Sequence, residues 1–167
     1  MPNSINLMTS VELAEKVGEE LKSRKLLLTI AESCTGGGIC QAVTEIAGSS
    51  EWFDCGFVTY SNSSKSEILN ISPSLIAQHG AVSEEIAAAM AEGALANSEA
   101  HVSLSTTGIA GPTGAVPGKP VGTICFGWMV GGITHTERRV FSGDRHEVRE
   151  QTVAYALDRL HRYLVEI

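Results

Sequence analysis

Residues 26–39, LLLTIAESCTGGGI, place the strongest constraint on this chain, because an apolar run there ends abruptly in small polar residues and three consecutive glycines. Leu26, Leu27, Leu28 and Ile30 predict a buried strand, and Ile39, Ala42, Val43 and Ile46 recur at helical spacing. The polar residues between them fall at a strand-to-helix turn. Backbone N–H groups are unpaired at a helix start and carry the positive end of its dipole. Gly36, Gly37 and Gly38 leave room for an oxygen-rich ligand to approach them, with Ser33 at the mouth. A plainer role stays open to the same residues: Ser33 or Thr35 as helix cap, and the glycines as relief of crowding.

Thr9 to Lys25 predicts a first, covering helix, with Thr9 and Glu12 in capping-box relation and Leu13, Ala14, Val17 and Leu21 on one face. The helix after the Ser33 turn closes at Gly48-Ser49-Ser50, and Trp52 to Tyr60 gives a second strand ending in the polar string Thr59-Tyr60-Ser61-Asn62. Ser64 to Leu69 predicts a short helix carrying Lys65, and Pro73 to Gln78 another, stopped by His79-Gly80. Ser83 caps an alanine-rich helix from Glu84 to Asn97, and His101 to Thr107 is a third strand. A loop dense in glycine and proline, Gly108 to Pro120, leads to strands Val121 to Val130 and Ile133 to Phe141, joined at Gly131-Gly132. Asp144 and Glu147 begin a last helix that turns Val153, Leu157, Leu160 and Leu164 inward. This order implies an α/β fold, a three-layer α/β/α sandwich with a mixed sheet, in a single domain spanning 1–167.

Composition narrows the function classes. Hydrophobic residues make up 43% of the 167, yet no apolar run approaches the roughly 20 residues of a membrane span. The start, MPNSINLMTS, lacks a basic segment followed by an apolar one, so a cytoplasmic protein with no membrane partner is expected. Cys34, Cys40, Cys55 and Cys125 show no Cys-x-x-Cys pairing, and the five histidines show no zinc-site spacing. Reduced cysteines and no metal are expected. The net charge of −7 argues against a nucleic-acid surface and leaves an anionic small ligand only where local cations and N–H groups outweigh the global field.

Three polar strings, 32–38, 59–65 and 106–114, each follow a predicted strand, and ligands of open α/β sheets bind beyond the carboxyl ends of the strands. A serine hydroxyl becomes nucleophilic when a base takes its proton, and a buried lysine amine can be that base. Ser33 and Lys65 fit those roles, Tyr60 could relay a proton or orient the pair, and the N–H groups after Ser33 would form an oxyanion hole. Each has an ordinary alternative: a solvated helix lysine, an edge aromatic. Cys34 is a rival nucleophile at the same turn, although adjacent residues there point apart. The string Thr106 to Pro112 could cradle a phosphate or ribose, or be a surface loop, and matches neither standard nucleotide fingerprint. Arg145, beside the last helix cap, could pair with a phosphate or simply face solvent.

Taken together, AESCTGGG at 31–38, AGSSEWFDCGFVTYSNSSK at 47–65, QHGAVSEE at 78–85, TGIAGPTG at 107–114, KPVGT at 119–123 and FSGDRHEVR at 141–149 closely resemble the CinA C-terminal domain family. Within that family they are most similar to the stand-alone members that deamidate nicotinamide mononucleotide, over about Leu13 to Leu164. The resemblance implies hydrolysis of the nicotinamide carboxamide to nicotinic acid mononucleotide and ammonia, in pyridine-nucleotide salvage. It implies Ser33 as nucleophile, Lys65 as base, Tyr60 in support and Thr107 against the reacting or substrate groups. Cys34, Thr35, Gly36 and Gly37, with Gly108, Ile109, Ala110, Gly111 and Arg145, would bind substrate. No metal or organic cofactor is implied, and a homo-oligomer, a dimer by preference, is. The one departure is Ala115, which stands where family members often carry the last glycine of Gly-Pro-x-Gly-Gly. A different class, a non-catalytic nucleotide-binding or regulatory module, would need only the same glycines and Arg145.

Overall fold

A computed structural model shows how these segments assemble; it describes residues 8–167. Residues 1–7, on which part of the reading of the N-terminal stretch rests, lie outside the described residues. The elements are α1 (Ser10–Ser23), β1 (Leu28–Glu32), α2 (Gly38–Thr44), a single 3-10 turn (Ser49–Glu51), β2 (Phe53–Val58), α3 (Asn62–Leu69), α4 (Pro73–His79), α5 (Glu84–Ala96), β3 (Val102–Gly108), β4 (Thr123–Val130), β5 (Ile133–Val140) and α6 (Arg145–Val165).

The five strands form one sheet in the order β2-β1-β3-β4-β5. β1 runs parallel to both β2 and β3, while β4 and β5 form an antiparallel hairpin appended to β3. The mixed sheet is the expected one. β1 and β3 are buried along their length, as central parallel strands covered on both faces must be. On one face α1, α2 and α6 share a core built from Leu13, Val17, Leu21, Ile39, Val43, Phe126, Trp128, Leu157 and Leu160. On the other, Ile86, Met90 and Ala94 of α5 pack with Leu69, Ile71 and Ile76. Each fully buried large apolar side chain of this kind contributes on the order of 2 kcal/mol.

α5 lies close on the sheet because small residues, Ala87 and Ala91 with Gly127 of β4 opposite, stand at the contact and two β3 hydroxyls anchor it. Ser103 Oγ donates to the Ala91 carbonyl at 2.8 Å and Ser105 Oγ to the Ala87 carbonyl at 2.5 Å. Asp144 and Glu147 form the expected capping box at the start of α6.

Several boundaries differ from expectation for local reasons. β1 begins at Leu28, since Leu26 and Leu27 are spent turning the chain out of α1, where Leu26 N–H bonds the Leu21 carbonyl. α2 has 7 residues and ends before Gly48, whose left-handed φ of 82° redirects the chain into the 3-10 turn. α3 starts two residues early because Ser61, not a later residue, caps it through the Ser64 N–H. β4 begins at Thr123, two residues late, because Gly122 N–H bonds the Ile109 carbonyl across the base of the loop. Cys34, Cys40, Cys55 and Cys125 are all free thiols.

Candidate active site

The carboxyl ends of β1, β2 and β3 are tied to one another just beyond the ladders. Ser33 N–H bonds the Thr106 carbonyl at 2.9 Å, and Thr59 N–H bonds the Glu32 carbonyl at 2.9 Å. The three polar strings thus emerge side by side. After Ser33 the chain makes two successive tight turns, closed by Gly36 N–H to the Ser33 carbonyl at 3.1 Å and Gly38 N–H to the Thr35 carbonyl at 3.0 Å. Gly36 and Gly37 have φ of 57° and 102°, the left-handed region that glycine enters without penalty.

The helix-start amides do not wait for a ligand, contrary to the expectation from sequence. Glu32, fully buried, aims its carboxylate at them: Oε1 accepts from Ile39 N–H at 2.9 Å and Oε2 from Cys40 N–H at 3.0 Å. Oε1 also accepts from the Thr35 hydroxyl at 2.6 Å, and that hydroxyl lies 2.9 Å from Thr106 Oγ1. An acid in the last position of a strand buried on both faces is placed where a short helix needs a cap. The amides left over after Ser33 are those of Cys34, Thr35 and Gly37, which donate to no protein acceptor among the described residues; of these residues only Cys34 lines the cavity beside Ser33.

Lys65 sits in the first turn of α3 and is buried, 1% exposed. Its Nζ lies 3.0 Å from Ser33 Oγ, 2.7 Å from the Thr59 carbonyl and 3.3 Å from the Tyr60 carbonyl. Burial lowers the Lys65 pKa from its ordinary value, since an ammonium loses its hydration there; the neighbouring Cys34 sulfur opposes the shift. The Cys34 thiol is itself pushed up to about 12, chiefly by burial, which makes it the poorer nucleophile of the two adjacent residues.

A cavity of about 300 Å³ opens above the pair. Ser33, Cys34, Tyr60 and Lys65 line one side; Thr107 and the run Gly108, Ile109, Ala110 and Gly111 line another; Arg145 reaches in from α6. Arg145 Nη1 donates to the Gly111 carbonyl at 2.9 Å and Nη2 to the Tyr60 hydroxyl at 3.2 Å, closing the cavity between the 108–111 loop and the end of β2. The Tyr60 phenol is therefore turned toward Arg145, and what Tyr60 gives Lys65 is its backbone carbonyl. Thr107 Oγ1 donates to the Ala81 carbonyl at 2.9 Å, which leaves its lone pairs for a donor in the cavity. Thr35, Gly36 and Gly37 do not line this cavity; Thr35 faces a second groove behind the turn, with Gly38 and Arg149.

Sequence reasoning did not single out Ala81, Val82, Thr113 and Gly114, which complete the wall, nor Glu32 and Arg149, which support the turn. Two signals were present for the last pair: an acid closing a buried strand, and an arginine four residues after Arg145, hence on the same helix face. Among the described residues no group of three or more histidine, cysteine or acidic side chains is placed to hold a metal ion. Nor is any helix among them long and apolar enough to cross a membrane.

Comparison with known proteins adds an independent line. A model of the CinA C-terminal domain matches residues 10–164. The chain is 49% identical over 148 residues to a Pseudomonas putida protein named nicotinamide-nucleotide amidohydrolase PncC, covering 89% of this chain and 92% of that one. The protein of that name in Escherichia coli K12 is 47% identical over 157 residues, covering 93% and 95%. Among solved structures, a CinA superfamily protein from Enterobacter cloacae superposes with a TM-score of 0.91 at 40% identity, over 94% of this chain and 93% of that one.

Proposed function

This chain belongs to the CinA C-terminal domain family, and on that premise we propose that it is a nicotinamide-nucleotide amidohydrolase working through Ser33 and Lys65. The observation that carries the mechanism is the 3.0 Å separation of Lys65 Nζ and Ser33 Oγ inside a buried pocket. A neutral amine has two N–H donors and one lone pair. The Thr59 and Tyr60 carbonyls accept the two donors, and the lone pair is left facing the Ser33 hydroxyl.

In the first half-reaction the Ser33 proton passes to Lys65 Nζ as Oγ bonds the carboxamide carbon, and the carbonyl π electrons move onto its oxygen. The Cys34 N–H, which meets no protein acceptor among the described residues, stabilises that oxyanion; such a donor is worth about 3 kcal/mol in other acyl-transfer enzymes. Collapse of the tetrahedral species breaks the C–N bond, and Lys65 returns its proton to the nitrogen, which leaves as ammonia. Water then attacks the Ser33 ester with Lys65 again as base, releasing nicotinic acid mononucleotide and regenerating Ser33. Thr107 accepts a hydrogen bond from the substrate amide, and Arg145 with the amides of Ala110 and Gly111 holds the phosphate, the Ile109 N–H being spent on the Thr123 carbonyl. The reading needs no metal and no organic cofactor.

It also takes 1–167 as one domain, placed in the cytoplasm and acting as a homodimer, with nicotinamide mononucleotide as its partner rather than nucleic acid or membrane. The test is ammonia release from nicotinamide mononucleotide by the purified protein in EDTA. Turnover is expected; tight calorimetric binding with no turnover would point instead to a non-catalytic nucleotide-binding module.

A further inference from the structure

We propose that Arg149 is a positioning residue for this reaction, a guanidinium clamp that holds the Ser33 turn by its back. Its Nε donates to the Cys34 carbonyl at 3.1 Å and its Nη2 to the Thr35 carbonyl at 3.2 Å. The planar fork spans two consecutive peptide oxygens, a geometry that lysine cannot reproduce. The contact is close enough that a side-chain carbon at Gly36 would lie 3.4 Å from Nη2.

Clamping carbonyls matters because a trans peptide points its C=O and N–H in opposite directions. Arg149 thus fixes the Cys34–Thr35 and Thr35–Gly36 peptides; the Gly36 N–H of the second bonds the Ser33 carbonyl, and that carbonyl shares its peptide plane with the Cys34 N–H. Arg149 receives the oxygens on the side of the groove lined by Thr35, Gly38 and Arg149; Ser33 and Cys34 meet the substrate cavity on the other. Glu32 grips the same segment from below through the Ile39 and Cys40 amides. Between the two grips the Cys34 amide is held ready before charge develops, which is the condition for an oxyanion donor to favour the transition state over the ground state.

Arg145 and Arg149 lie one helical turn apart on α6, so the arm that meets the substrate and the arm that holds the nucleophile turn move as one body. Arg149 touches no substrate. Removing it should lower kcat and leave KM nearly alone, the signature of an interaction realised only in the transition state.

The proposal rests on the amidohydrolase reading, and the two fail differently. With nicotinamide mononucleotide as substrate, Arg149→Ala should lower kcat about 100-fold, the cost of a lost oxyanion donor, with KM within about twofold of wild type. Guanidinium chloride, far below denaturing concentration, should enter the open groove and restore part of kcat in Arg149→Ala, while leaving wild type and Ser33→Ala unmoved. Arg149→Lys, which keeps the charge without the fork, should fall between, and carries the test if the alanine variant does not fold. Wild-type kcat in either folded variant, a rise in KM at unchanged kcat, or a folded Arg149→Ala that guanidinium does not rescue would overturn the clamp. If wild type itself turns over no amide, the amidohydrolase reading falls first. Arg149 is then judged by amide hydrogen exchange at Cys34 and Thr35, which the clamp requires to be faster in the variant, equal rates refuting it.

Discussion

Lys65 meets two carbonyls and one hydroxyl, and no carboxylate pairs with it among the described residues. Its lowered pKa comes from burial, so the neutral amine is populated at a lower pH than in water. Because a base must be neutral to accept the Ser33 proton, kcat should rise with pH through the Lys65 pKa. It should level off before the ordinary lysine value of 10.5, and a pH–rate profile checks this. The same shift has a stability consequence. Between the folded pKa and 10.5 the unfolded chain holds the extra proton, so the penalty for burying Lys65 is complete below the folded pKa and fades as pH rises to 10.5. Measured against Lys65→Met, which has no proton to lose, wild-type stability should improve across that window and run parallel elsewhere. Thermal denaturation of both proteins over pH 6 to about 10.5 would show it.

The short helix α2 depends on an acid that precedes it. Replacing Glu32 by alanine would leave the Ile39 and Cys40 amides and the Thr35 hydroxyl without their acceptor in a buried place. The expected cost is about 3 kcal/mol, read as a lower urea midpoint, and Glu32→Gln, which keeps one acceptor oxygen, should lose less. At this scale the sequence was informative about which elements exist and weaker about where they end. The periodicities of Leu13 to Leu21 and of Val153 to Leu164 announced α1 and α6, and Asp144 with Glu147 announced a capping box that is present. The turn after Ser33 was legible as a turn, but not the occupation of its amides. That depends on Glu32 reaching past Thr35 to residues seven and eight positions on, a path the local pattern does not encode.

The whole molecule brings together strings more than 70 positions apart because β1, β2 and β3 run parallel and neighbouring, so their carboxyl ends open on one edge of the sheet. That much followed from the strand order, and with it the meeting of Ser33, Lys65 and Thr107 around one cavity. Ala81 and Val82 were not legible, because their loop reaches the cavity through the packing of α5 on β3 by Ser103 and Ser105 and through the Thr107 hydroxyl on the Ala81 carbonyl. The cavity also resolves how a chain of net charge −7 could take an anionic nucleotide: the Arg145 guanidinium lines it, and no acid does. Arg145→Ala should raise KM for nicotinamide mononucleotide about 10- to 100-fold, the loss of a charged hydrogen bond, and change that for the phosphate-free nucleoside little. The most direct test of the account is a rapid acid quench of wild-type protein turning over nicotinamide mononucleotide, followed by peptide mass mapping. The account predicts an acyl group on Ser33, absent from Ser33→Ala, which should also release no ammonia. An acyl group on Cys34, or a Ser33→Ala variant that still turns over, would contradict it.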